Sequence, residues 1–150
     1  MDTAEVIDRY YGALNDADWD AWLGFFADDV VVDSQLDGHA EGIQSLRDAV
    51  GTIGRRYTRF SMEPEHVLVH GDEAAVFWQF EATTTAGDPI DVRGANYFRV
   101  RDGKIVYFRN VHDPAPFQAI VDQTAAGQGP EREADGGKIR TGGDAGPQTA

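Results

Sequence analysis

Within four positions near the end of its apolar region, the chain places three side chains able to do chemistry: Asn110, His112 and Asp113. Two of them can carry a proton. A histidine titrates near neutral pH, and an apolar wall raises a carboxyl toward the same range, so either could take an acidic C–H proton beside a carbonyl. Each also has a structural alternative: Asp113 as the cap of a helix after Pro114, His112 as a buried, hydrogen-bonded histidine. Further upstream, Asn96 is the polar exception on an apolar strand face, and Tyr10 points inward from an amphipathic helix. These two read as paired donors to a ligand oxygen, or as a buried pair satisfying one another. Asp33 stands close to His39 and Glu41, but their irregular spacing in a loop argues against a metal site, which needs fixed ligand geometry. No metal and no cofactor is expected.

The elements that must position these groups are legible around one hairpin. Residues 94–101 and 104–113 are rich in aromatic and β-branched side chains and flank Asp102-Gly103, a dipeptide suited to the φ > 0 positions of a tight turn. Phe108, Asn110 and His112 alternate and should share a face, with Asp113 turned away unless the strand has ended. Val92, Gly94, Asn96, Phe98 and Val100 share a face of the preceding strand, with Arg93, Tyr97, Arg99 and Arg101 opposite. In the strand before that, Val76, Trp78 and Phe80 face the core, while Phe77, Gln79 and Glu81 face away. Trp78, Phe80, Phe98 and Phe108 either line an apolar cavity or are plain core.

Ahead of these strands, Asp2 or Thr3 can cap a helix with Val6, Ile7, Tyr10, Tyr11 and Leu14 on one face. A short second helix carries Trp19, Trp22, Leu23, Phe25 and Phe26 and stops before Asp28. Val30 to Asp33 reads as a short strand, residues 37–42 as a loop, and Ile43 to about Tyr57 as a third helix weakened by Gly51 and Gly54. From Glu65 the chain is expected to be β throughout, as a four-stranded meander. Phe117 to Val121 can form a short closing helix, so a domain over residues 1–123 is expected. Residues 124–150, nearly devoid of large apolar side chains, are expected to be a disordered tail.

Composition narrows the partners. The 150 residues carry a formal net charge of −13, which would repel a nucleic-acid backbone or an anionic membrane and favours a neutral or cationic small ligand. With 41% hydrophobic residues and 11% aromatics there is enough for one real core. Absence of cysteine excludes disulfides and Cys-containing metal sites. The N-terminal residues lack signal-peptide character, which points to a cytoplasmic protein.

The order helix, helix, strand, helix, meander resembles the nuclear-transport-factor-2-like superfamily, and within it the SnoaL-like domains. The resemblance covers residues 3–122 and rests on residues 25–32 (FFADDVVV), Gly42-Ile43 opening the third helix, and residues 98–106 (FRVRDGKIV). It implies an α+β fold, a cone-shaped barrel of a curved, mostly antiparallel sheet packed on three N-terminal helices. Measured against ketosteroid isomerases in that superfamily, Tyr10 matches the helix tyrosine of the oxyanion hole, Asn96 replaces the strand acid, and the base falls on Ser34. Asp33 would serve there only if the register shifts by one residue. In the epoxide-hydrolase-like relatives, the strand-borne pair falls near Gln79 and Glu81, and the last-strand aspartate falls on Asn110, an amide that cannot accept a proton. In SnoaL-like cyclases the acid/base at the end of the last strand falls on Asp113.

The resemblance thus implies a cofactor-independent isomerase, cyclase or dehydratase that moves protons on a hydrophobic carbonyl compound. Asp113 or His112 would be the base, Asn96 and Tyr10 the oxyanion donors, and Asp33, Trp78, Phe80, Phe98, Phe108 and Asn110 the substrate contacts. The alternative is a non-catalytic domain of the same fold, for ligand binding or assembly. The arginine stripe on the outer sheet face, with Gln79 and Glu81 opposite, reads as a homodimer interface.

Overall fold

The computed structural model describes residues 1–118 and 120. The chain divides into one unit over Met1–Asp113 and another from Pro114 onward. In the second, a helical segment begins at Ala115; the expected tail, residues 124–150, lies outside the described residues.

The first unit runs α1 (Thr3–Asn15), α2 (Trp19–Leu23), β1 (Phe26–Ser34), β2 (Gly38–Glu41), α3 (Gln44–Arg56), β3 (Tyr57–His70), β4 (Glu73–Thr84), β5 (Pro89–Arg101) and β6 (Lys104–His112). It is an α+β arrangement of three helices and one curved, open sheet in the order β2-β1-β6-β5-β4-β3. Every strand pair is antiparallel except β1 with β6. Among the described residues no helix is long and apolar enough to cross a membrane.

Local chemistry explains most boundaries. The Asp2 carboxylate accepts from the Glu5 backbone N–H and opens α1, and Asp18 does the same for α2 through Ala21. The turn between β5 and β6 has positive φ at both Asp102 and Gly103, which matches the twist of the flanking strands. Val6, Ile7, Tyr10, Tyr11 and Leu14 of α1 are buried, as are Ala74, Val76, Trp78 and Phe80 of β4 and Asn96 and Phe98 of β5. Alternation leaves Phe77 exposed on the other face of the sheet.

Three boundaries differ from the sequence reading. Helix α2 ends at Leu23, and Phe26 already belongs to β1. Residues 38–41, expected as loop, form the short edge strand β2 paired with β1. Strand β3 begins at Tyr57 rather than Glu65 and pairs with β4 along its length, from Tyr57 with Thr84 to His70 with Glu73. Pro64 is tolerated because β3 is an edge strand with an irregularity between Pro64 and His66, so no ladder hydrogen bond requires its missing N–H.

Candidate functional site

Strand register sorts the candidate residues into cross-strand rows on the face toward α1. One row is Trp78, Gly94 and His112; the next is Val76, Asn96 and Asn110; a third is Ala74, Phe98, Phe108 and Val32. The expected sharing of a face by Phe108, Asn110 and His112 follows from this register.

His112 is half-buried at the end of β6, and its ring centroid lies 6.2 Å from that of the Trp78 indole. Its Nδ1 is 3.0 Å from the backbone carbonyl oxygen of Asp113. A carbonyl oxygen only accepts, so Nδ1 carries a hydrogen and, in the neutral ring, the lone pair sits on Nε2. Asp113 itself is exposed, directly after the last strand residue. Asn110 Oδ1 accepts from the Gln35 backbone N–H at 2.8 Å, tying β6 to the turn after β1.

Asn96 is 2% exposed, and its Nδ2 donates to the Tyr11 hydroxyl at 2.8 Å. The expected pairing of Asn96 with Tyr10 is therefore replaced by one with the adjacent tyrosine. Both tyrosines lie on the buried side of α1, but one residue turns a helix by about 100°, so their rings point in different directions. Tyr10 sits at the centre of an aromatic cluster, with centroids 4.7 Å from Tyr11, 5.0 Å from Phe98, 5.7 Å from Trp22, 6.0 Å from Phe26 and 6.3 Å from Phe108. Burial pushes both phenols well above their usual range, Tyr10 with the Trp22 indole and Tyr11 with Asn96 opposing the shift. Trp22 Nε1 opposes it without reaching hydrogen-bonding geometry: among the described residues this N–H has no partner.

Asp33 is not brought to this face. Val32 pairs with Phe108 and Asp33 with Arg109, and the irregularity in that pairing falls earlier, between Phe26 and Val31, so no shift turns Asp33 inward. Its carboxylate instead accepts from the Tyr107 hydroxyl and meets His39 Nδ1 at 2.7 Å, while His39 Nε2 is 3.1 Å from Glu41. The Tyr107 hydrogen bond, then His39, hold the Asp33 carboxyl below its ordinary range; Asp33 and Glu41 raise the His39 imidazole. Ser34 lies on the inward side, with Oγ accepting from the Leu36 and Asp37 backbone N–H groups. Gln79 and Glu81 face outward, hydrogen-bonded to each other and, through Gln79, to Asp91. Phe80 is buried against Phe60 and Tyr57, with centroids at 6.2 and 5.6 Å, whereas Phe98 and Phe108 join the Tyr10 cluster.

Residues 7–108 match the SnoaL-like domain. The chain belongs to that family. This SnoaL-like domain shares its fold with solved structures of low identity. An NTF2-like protein of unknown function from Burkholderia pseudomallei superimposes with a TM-score of 0.73 at 17% identity, covering 79% of this chain and 95% of the other. TerC, co-crystallised with polyporic acid, gives 0.71 at 20% identity over 79% and 96%. A candidate polyketide cyclase from Xanthomonas campestris pv. campestris gives 0.70 at 22% identity over 77% and 93%. No curated protein matches the chain.

Two features of this SnoaL-like domain's interior escaped the sequence reading. Tyr11, the partner of Asn96, was visible only as one of five apolar positions on α1. Gly94 was visible only as a strand glycine, yet a Cβ there would lie 2.6 Å from Trp78 Cη2 and 2.7 Å from the Val111 carbonyl oxygen. The indole therefore lies across the backbone at Gly94, where a side chain would otherwise stand.

Proposed function

We propose that this SnoaL-like domain is a cofactor-independent proton-transfer enzyme acting on a hydrophobic carbonyl compound, with His112 as base and Asn96 as a donor to the carbonyl oxygen. The observation that carries this reading is the His112 Nδ1–H donated to the Asp113 carbonyl. It favours, in the neutral ring, the tautomer with the lone pair on Nε2, and His112 shares a sheet face with Asn96 one row away, which supports His112 as the base. In the proposed step Nε2 takes a proton from the carbon beside the carbonyl. The C–H electron pair forms the enolate, whose oxygen accepts from Asn96, and the proton returns to carbon or to a leaving hydroxyl. Asp113 contributes its backbone carbonyl rather than acting as the base. The likeness to a candidate polyketide cyclase and to a protein crystallised with polyporic acid supports a small-molecule ligand.

The test uses 2-tetralone, a hydrophobic ketone with acidic α-hydrogens, and follows its deuterium exchange in D2O by NMR. Wild-type protein is expected to accelerate exchange, and His112→Gln to lose about 10²–10⁴ of that acceleration with binding retained. Unchanged exchange in His112→Gln would assign the base elsewhere.

We infer that the outer sheet face is a homodimer interface, because Phe77 and Val111 are 45% and 50% exposed there and lie in one row with Ala95.

A further inference from the structure

We propose that Trp78 Nε1 is a second donor to the ligand's carbonyl oxygen, acting with Asn96, and that Tyr11 rather than Tyr10 sets this donor pair. The inference rests on the small-molecule reading above and names the group that the site recognises.

Trp78 Nε1 and Asn96 Oδ1 are both buried polar atoms with no hydrogen-bond partner among the described residues. Leaving such atoms unpaired in a protein interior is costly, so a pair of them on one face marks a place where a polar ligand atom repays the cost. The indole N–H only donates, so the ligand group facing Trp78 must accept. Trp78 pairs with Gly94, and Asn96 is the next inward residue on the same strand, which makes the two side chains diagonal neighbours across β4 and β5. Gly94 leaves the indole free to lie over the strand toward His112.

The Asn96 amide also resolves to a donor. Its 2.8 Å contact with the Tyr11 hydroxyl suits either amide orientation, because amide N and O are near-isosteric and a hydroxyl both donates and accepts. With Nδ2 toward Tyr11, neither the Tyr11 hydroxyl proton nor Oδ1 has a partner among the described residues. With Oδ1 toward Tyr11, the phenol proton is satisfied and Nδ2 faces the ligand beside the indole. Tyr11 is thus a positioning residue. The burial that pushes its phenol up keeps it protonated, and so a donor, at any working pH. Two N–H donors on adjacent strands and the same sheet face suit an oxygen with two lone pairs and no hydrogen: a ketone, or its enolate.

Three probes with one skeleton test this: 2-tetralone accepts only, 2-tetralol also donates, and tetralin does neither. Binding to the full chain is followed by quenching of tryptophan fluorescence or by NMR, and the quantity read is the ratio of affinities within each variant. That ratio does not depend on the fraction folded. Wild-type is expected to prefer 2-tetralone over tetralin by about 10- to 100-fold, and over 2-tetralol, whose hydroxyl hydrogen would find no acceptor. Trp78→Phe and Asn96→Leu should each cut the ketone preference by about tenfold. Asn96→Asp should keep it at low pH, where a buried carboxyl remains protonated and donates, and lose it as pH rises. Equal affinity for ketone and hydrocarbon would overturn the donor pair while leaving the site. Preference for the alcohol would show that Oδ1 faces the ligand and overturn the assignment of Asn96. If none of the three binds, the small-molecule reading fails and this one with it.

Discussion

One buried hydroxyl separates the two tyrosines of α1. Tyr11→Phe removes the one side-chain hydrogen-bond partner that the buried Asn96 amide has among the described residues and should destabilise the fold by about 1–3 kcal/mol. Tyr10→Phe keeps the ring that packs on Tyr11, Trp22, Phe26, Phe98 and Phe108, and should cost about 1 kcal/mol or less. Urea denaturation of the two variants checks the order; an equal or reversed cost would show that the Tyr10 hydroxyl holds the core. The sequence made both tyrosines inward-facing, since spacing along a helix assigns a face. It could not choose between them, because the choice depends on where Asn96 lies across 85 residues of chain. Asp33 is the opposite case. Period-two alternation with Val32 already put it on the outer face, and only an assumed register shift would have turned it inward.

At the scale of elements, signals confined to a few neighbouring residues were legible and those that depend on a distant partner were not. The hairpin of β5 and β6 was marked by Asp102-Gly103, and α1 by its five-residue apolar face and a cap at Asp2 or Thr3, of which Asp2 serves. The parallel pairing of β1 with β6 has no local signal, and the first half of β3, interrupted by Arg59, Glu63 and Pro64, is a strand because β4 pairs with it. That edge is closed in part by Asn15, whose side chain accepts from the Met62 N–H at 2.7 Å and donates to the Met62 carbonyl at 2.9 Å, as a neighbouring strand would. Asn15→Ala should therefore cost about 1–3 kcal/mol and raise amide hydrogen exchange at Met62 selectively. Gly94→Ala should cost about 1–3 kcal/mol by forcing both the Trp78 indole and the Val111 backbone carbonyl of β6 to shift, with loss of near-UV circular dichroism from that ring. A near-neutral Gly94→Ala would mean that both the indole and the β6 backbone have room to move.

For the whole molecule, the outer sheet face carries both the proposed homodimer interface and the titrating cluster of Asp33 and His39. Register arranges this face as rows: Phe77, Ala95 and Val111 form an apolar band that His66 borders, and beside it Tyr97, Arg109, Asp33 and His39 form a polar one. The expected arginine stripe is largely engaged within its own sheet, Arg93 with Glu65 at 3.2 Å and Arg99 beneath Tyr97 and Tyr107. This leaves the apolar band as the stronger argument for a second copy. His39, raised by its two carboxylates, contributes stability that is full below its ordinary value of 6.5 and is lost as pH rises through its raised value. Asp33, lowered chiefly by Tyr107, contributes above its ordinary 3.8 and loses that contribution as pH falls through its lowered value. The cluster is thus strongest between those ordinary values, and His39→Gln should flatten the decline of Tm on the alkaline side while leaving Tm at high pH almost unchanged. The net charge of −13 on each copy opposes association over a range set by the Debye length, so a dimer formed by the apolar band should tighten as salt is added, whereas one held by cross-interface ion pairs would loosen. Sedimentation at micromolar concentration should give a dimer for wild-type and a monomer for Phe77→Glu. Because Phe77 is 45% exposed, the monomeric variant should keep its fold. A wild-type chain that sediments as a monomer at high salt would remove the outer face as a homodimer interface.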